Sequence, residues 1–289
     1  MPPASDDPPF RRIAIAGLGL IGGSIALAVH ERWPSVVITG VDRRAVLAHA
    51  LGSGAIDRAA ESLQSIGETD LVILAAPVRQ NVQLLRDIAP QMPARTLITD
   101  VGGTKRDIVS AARDLPRQAP FIGGHPIGGA ERGGFGFARP DLFRGRPWIF
   151  TPEPGAPSEA VDRLGRFVTA FGARPAVLDA DEHDRTMAFL SHLPQLTAST
   201  LMAVIGGATG ADGLRLAGRG LVDTTRLASS PASVWTDICA TNGEAIGEAL
   251  DVLIRRLSEM RASLGNGTAI ETLFDEAGRW RAELMKGRE

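Results

Sequence analysis

The chain has 289 residues, 44% hydrophobic and 22% charged, with a formal net charge of −2. At roughly 100–200 residues per domain this suggests two domains, and the composition is that of a soluble globular protein without the basic excess of a nucleic-acid binder. Cys239 is the only cysteine, which excludes a disulfide framework and a thiolate zinc site, and no metal site is expected.

Residues 1–10, MPPASDDPPF, are acidic and Pro-rich and read as a disordered lead-in. They lack the apolar centre of a signal peptide, and no apolar run approaches the ~20 residues of a membrane span. A cytoplasmic protein with no membrane partner is expected. RIAIAG (12–17) is a β-branched run ending in glycine, the pattern of a buried strand, and helical spacing follows from Ile21. SVVITGVD (35–42), DLVILAAP (70–77), RTLITDVG (95–102) and APFIGGHP (119–126) repeat the pattern, each followed by a helical stretch or a loop. RPWIFTP (146–152) and ARPAVLDA (173–180) add two more strands. Alternating strands and helices predict a Rossmann-type, doubly wound, mostly parallel sheet over residues 11–180. From Asp181 to Glu289 only helical periodicity and glycine breaks follow, so residues 181–289 are expected to form an all-helical domain.

GLGLIGGS places Gly17, Gly19 and Gly22 in a G-x-G-x-x-G arrangement between a strand and a helix. The first glycine suits the tight turn, the second lets backbone approach a pyrophosphate, and the third lets helix pack on strand. Leu18, Leu20 and Ile21 fill the loop, whose helix N-terminus offers N–H groups to phosphate. Asp42, at the end of the second strand, suits a ribose 2′-hydroxyl and repels a 2′-phosphate, favouring NAD. Arg43 and Arg44 leave NADP open. Ala76, Pro77 and Val78, in AAPV, and Gly102, in TDVGGTK, close strands where a cofactor crosses the sheet; Pro77 reads equally as a turn proline.

Thr104 and Lys105 follow Gly102. Thr104 also suits a helix N-cap, whereas a lysine there opposes the helix dipole and needs another reason. His125 is the only histidine at a predicted strand end, and its neutral-range pKa suits abstraction of a hydroxyl proton as hydride leaves the same carbon. Its flanking glycines read as clearance for cofactor and substrate. His192, in SHLP, reads either as a cleft residue or as a half-buried structural histidine.

GLGLIGGS, DLVILAAPV, DVGGTK, GGHPIGG, SHLP (191–194) and DTTRLASSPASVWTDI (223–238) occur in this order. Together they resemble the prephenate/arogenate dehydrogenase family of tyrosine biosynthesis, over nearly the whole chain. The resemblance implies NAD-dependent oxidative decarboxylation of a cyclohexadienyl substrate, with His125 taking the ring C4 hydroxyl proton. It implies that Arg226 holds a substrate carboxylate and that the helical half forms a homodimer. Glu131, Thr104, Lys105 and His192 are further candidates around the same pocket. Two departures stand out. Gly103 replaces a serine common in the family, for which Thr104 is a possible substitute, and Gln195 replaces the histidine of SHLPH, leaving prephenate against arogenate open. The rival readings are a β-hydroxyacid-type dehydrogenase, disfavoured because Lys286 is the only lysine after Asp181, and a non-catalytic NAD-binding protein.

Overall fold

In the computed structural model, which describes residues 7–115, 119–129 and 132–286, each β-branched run named above forms a strand. These are β1 (Arg12–Ala16), β2 (Val37–Val41), β4 (Leu71–Leu74), β5 (Leu97–Asp100), β6 (Phe121–Pro126), β7 (Pro147–Thr151) and β8 (Arg174–Val177). A further edge strand, β3 (Arg58–Ala60), is too short for its pattern to show in the sequence. The order is β3-β2-β1-β4-β5-β6-β7-β8, parallel throughout except that β7 runs antiparallel to β6.

Every residue of β4 and β5 is buried, as expected for central parallel strands covered on both faces. Successive side chains alternate between the two faces. Leu71 and Ile73 therefore enter one apolar layer, with Trp33, Phe143 and Phe167, while Val72 and Leu74 enter the other, with Leu85, Ile88 and Ile108. The covering helices are α1 (Leu20–Arg32), α2 (Arg44–Gly52), α3 (Val78–Ile88), α4 (Arg106–Arg113) and α5 (Ser158–Thr169). Phe10, expected in a disordered lead-in, is 1% exposed and meets Phe167 edge-on at 5.5 Å; residues 1–6 lie outside those described.

Beyond β8 the described residues are helical: α6 (Ala180–Met187), a π-turn (Ala188–His192), α7 (Leu193–Leu214), α8 (Arg219–Thr224), a 3-10 turn (Arg226–Ser229), α9 (Ala232–Thr241), α10 (Gly243–Ala262) and α11 (Gly267–Met285). Asp179 starts α6 by accepting the Glu182 N–H at 2.7 Å. The continuous stretch Ala180–Leu214 reaches a mean hydropathy of 1.3 and is long and apolar enough to cross a membrane by length and composition. Uncharged Ser, His, Pro, Gln and Thr interrupt its apolar run, and the core helix of a soluble protein reaches the same hydropathy. The chain forms two compact units, Met1–Gly243 and Glu244–Glu289. In the second, Arg256 of α10 donates to Glu276 of α11 at 2.6 Å.

Candidate functional site

The carboxyl ends of β1, β4, β5 and β6 open on a cleft of about 510 Å³ within the first unit. Gly17 has φ +98°, and a Cβ there would lie 2.5 Å from the Ala75 carbonyl oxygen. A Cβ at Gly22 would lie 1.9 Å from the Gly17 oxygen, so both positions require glycine. At Gly19 a Cβ would meet nothing within 4 Å, which leaves open space at the start of α1. That helix has no acid in its first turn and no side-chain cap, so its N–H groups suit a pyrophosphate. Asp42 accepts the Leu18 N–H at 2.7 Å and the Arg43 N–H at 2.6 Å, one on each oxygen. Lone pairs remain for ribose hydroxyls. The residues present therefore fit NAD. The Arg43 side chain is 90% exposed.

Deeper in the cleft, His125 Nδ1 lies 2.9 Å from His183 Nε2, and His183 Nδ1 lies 2.8 Å from Asp184 Oδ1. Asp184 also accepts the backbone N–H groups of Lys105 and Arg106, at 2.8 and 2.9 Å, where α4 begins. Burial first, and then electrostatic interaction with the neighbouring His183, Lys105 and His192, push His125 well below the usual histidine range. Burial also lowers His183, against the opposing pull of Asp184. For Asp184 itself burial raises the pKa, but the hydrogen bonds from His183, Arg106 and Lys105 prevail and hold it below the carboxylate norm. Burial lowers His192 to about 4. Its Nδ1 lies 3.3 Å from Asn242 Nδ2, which also donates to the Asp184 carbonyl oxygen at 2.8 Å.

Among the sequence-predicted residues, Gly19, Leu20, Ile21, Ala76, Pro77, Val78, Gly102, His125 and His192 line the cleft. Leu18 contributes only backbone, because its side chain is fully buried. Three expectations need correction. Lys105 is 0% exposed, its Nζ donating to Asp100 and, at 2.8 Å, to the Gly124 carbonyl oxygen, so it cannot touch substrate. Burial lowers its pKa, with Asp100 opposing. Thr104 is 1% exposed and bonded to the Thr241 hydroxyl at 2.8 Å. It does not substitute for a residue at 103: a Cβ on Gly103, not Thr104, would approach His125 Nε2, at 3.9 Å. Gln195 is buried and spends its amide on Leu227 O (2.7 Å), Ser199 (3.2 Å) and Ser230 (3.0 Å), so it acts as a clamp. Glu131 lies outside the described residues.

Arg226 is exposed and opens the 3-10 turn that Gln195 holds; Ser230, just beyond that turn, lines the cleft. The glycines before His125 also have a different reason from the one expected. A Cβ at Gly123 would strike Thr151 at 2.3 Å, and one at Gly124 the Asp100 oxygen at 2.6 Å. They allow neighbouring strands to approach, whereas Gly128 and Gly129, after the histidine, line the cleft.

The sequence reading missed His183, Asp184, Asp100 and Asn242. EHDR (182–185) was visible only as acids suited to a helix start. The available signal was an acid at the end of a buried strand, Asp100, five positions before a lysine. Asp100 accepts from Gly102 N (2.8 Å), Gly124 N (3.1 Å) and Lys105 Nζ, and so braces the strand that carries His125.

Residues 25–177 match the family model described as prephenate dehydrogenase, nucleotide-binding domain, and residues 179–275 that described as prephenate dehydrogenase, dimerization domain. A prephenate dehydrogenase of Bacillus subtilis is 36% identical over 270 residues, 91% of this chain and 72% of the relative. A cyclohexadienyl dehydrogenase of Zymomonas mobilis is 31% identical over 266 residues, 89% of each chain. The A. aeolicus prephenate dehydrogenase, solved in complex with hydroxyphenyl propionate and NAD+, shares the fold with a TM-score of 0.86 at 24% identity, covering 96% of this chain and 98% of that one.

Proposed function

From the premise that the chain belongs to the prephenate dehydrogenase family, we propose that it oxidatively decarboxylates prephenate, arogenate or both, using NAD and with His125 as general base. The observation that carries this reading is His125 itself, which lies on the cleft that begins at Gly19 and is held neutral chiefly by burial. A neutral imidazole is the form that accepts a proton.

When bound, NAD supplies the acceptor for the hydride of ring C4. His125 Nε2 takes the C4 hydroxyl proton as the carbonyl forms. Loss of the C1 carboxylate as CO₂ makes the ring aromatic, and the proton held on His125 returns to the phenolate oxygen. Arg226 is assigned a substrate carboxylate, for which a planar guanidinium offers paired donors; His192 is assigned to substrate from the cleft wall. Asp42 favours NAD over NADP, because its carboxylate repels a 2′-phosphate.

The protein is proposed to act as a cytoplasmic homodimer. Support comes from the match of residues 179–275 to a region described as a dimerization domain. It also comes from exposed apolar side chains, with Leu190, Val204 and Leu216 in the first unit and Phe274 and Trp280 in the second, each more than 60% exposed. The experiment that tests the assignment is a four-way assay of prephenate or arogenate, each with NAD or NADP. Turnover in none of the four would overturn it, and the preferred pair identifies substrate and cofactor.

A further inference from the structure

Resting on the reading of His125 as the base, we infer that His183 and Asp184 are positioning residues that fix the His125 proton on Nδ1 and leave the Nε2 lone pair for the substrate hydroxyl. Asp184 can only accept. Its oxygens already take the Lys105 and Arg106 backbone N–H groups at 2.8 and 2.9 Å, at the positive end of α4, and Oδ1 also faces His183 Nδ1 at 2.8 Å. His183 must therefore donate from Nδ1. A neutral imidazole carries one N–H, so His183 Nε2 is an acceptor, and His125 Nδ1, at 2.9 Å, is the donor facing it. Nε2 of His125 is then the bare nitrogen, and it is the atom that a Cβ at Gly103, on the cleft wall, would approach at 3.9 Å.

The charged and titratable groups around this chain are consistent with it. β5 contributes Asp100, neutralised by Lys105 Nζ; the start of α4 contributes Lys105, Arg106 and Asp107, and the π-turn contributes His192. Burial keeps both His125 and His183 below the usual histidine range. Once His125 has taken the substrate proton, the Asp184 carboxylate stabilises the imidazolium through His183 without itself being protonated, the role an acid plays behind a catalytic histidine.

Two measurements test this on the full chain. In ¹⁵N-histidine-labelled protein, which holds five histidines, His125 is expected to show a protonated Nδ1 and a bare Nε2 near pH 7.5, assigned by loss of its signals in His125→Asn. The opposite tautomer overturns the inference. In kinetics, Asp184→Asn presents an N–H where an acceptor is needed, and kcat is expected to fall at least about tenfold with KM changed less than about twofold. His183→Gln keeps an acceptor near the Nε2 position and is expected to retain more activity than His183→Leu. Equal activity in these two variants, or an unchanged kcat in Asp184→Asn, also overturns the inference. If Asp184→Asn does not fold, the spectrum of the unsubstituted chain decides. A His125→Asn variant that retains turnover would defeat the general-base reading alone, leaving the tautomer measurement intact.

Discussion

Asp237 closes the N-terminus of α3 from a distant part of the chain, accepting the Arg79 backbone N–H at 3.2 Å and its Nε at 2.6 Å. The Asp237 carboxylate is 9% exposed, whereas the Arg79 side chain is 64% exposed. The helix it closes begins directly after Pro77, and Pro77 and Val78 both line the cleft. Removing the carboxylate leaves a helix N–H unsatisfied, so Asp237→Ala is expected to cost about 1 kcal/mol, as for a lost N-cap. Arg79→Ala removes the largely exposed end of that ion pair but leaves the helix N–H capped by Asp237, and is expected to cost less. Urea unfolding midpoints check the order, and equal losses would argue against the capping role.

His125→Asn keeps the fold and removes the proton acceptor. Turnover should fall by about 10²–10⁴-fold, the usual contribution of a general base, while NAD affinity stays level. A loss under tenfold in single-turnover experiments would remove His125 from the chemistry.

Two glycines of the first loop should separate folding from binding. At Gly22 a Cβ would lie 1.9 Å from backbone oxygen, whereas Gly19 has open space. Gly22→Ala is therefore expected to lower the melting temperature by several degrees, a cost of at least about 1–3 kcal/mol for overpacking. Gly19→Ala should leave melting unchanged and weaken NAD binding, measured by calorimetry. Full NAD affinity in Gly19→Ala would place the pyrophosphate elsewhere.

The buried histidines give stability a definite pH dependence. His192 is held at about 4 by burial against an ordinary 6.5. Between these values the unfolded chain binds the extra proton, so stability is full above 6.5 and falls as pH drops toward 4. The shift corresponds to about 3 kcal/mol. His125 adds to the loss in the same direction, while Asp184, held below its ordinary 3.8, loses its contribution only at lower pH. Denaturation midpoints at pH 7 and pH 5 should differ accordingly, and the acid limb of kcat/KM should lie below 6.5. A pH-independent midpoint across that interval would contradict the neutral buried state.

Gln195 ties α7 to the turn that opens with Arg226, through Leu227 and Ser230. Gln195→Leu keeps the volume and removes these bonds. Substrate KM should rise several-fold, roughly 1 kcal/mol per bond lost, with NAD affinity unchanged. An unaltered KM would separate this turn from substrate binding.

The sheet was largely legible because most of its strands are short apolar runs near glycine, proline or aspartate. β3 was not, since Arg-Ala-Ala has no pattern and is held by its place beside β2. The candidate loop of Gly17 and Gly19 and the proposed partner Asp42 were legible because such a loop has local spacing. His125 could be found because a strand end is also a local feature. His183 and Asp184 could not: their meaning depends on a contact across 58 residues with β6 and on the backbone of Lys105, 79 residues away. Lys105 was misread for the same reason, as its buried partner Asp100 lies on β5 and its second acceptor on β6. Sequence spacing reports chemistry within one element, and this network joins four.

The pairing of Asp184 with the opening turn of α4 also bears on chain engineering. The proposed base stands on the sheet, and the carboxylate proposed to set its protonation comes seven positions after the last strand ends at Val177. A chimera that keeps this sheet and imports another helical half would inherit the base without its proton setting, unless the graft also carries the His-Asp pair in register.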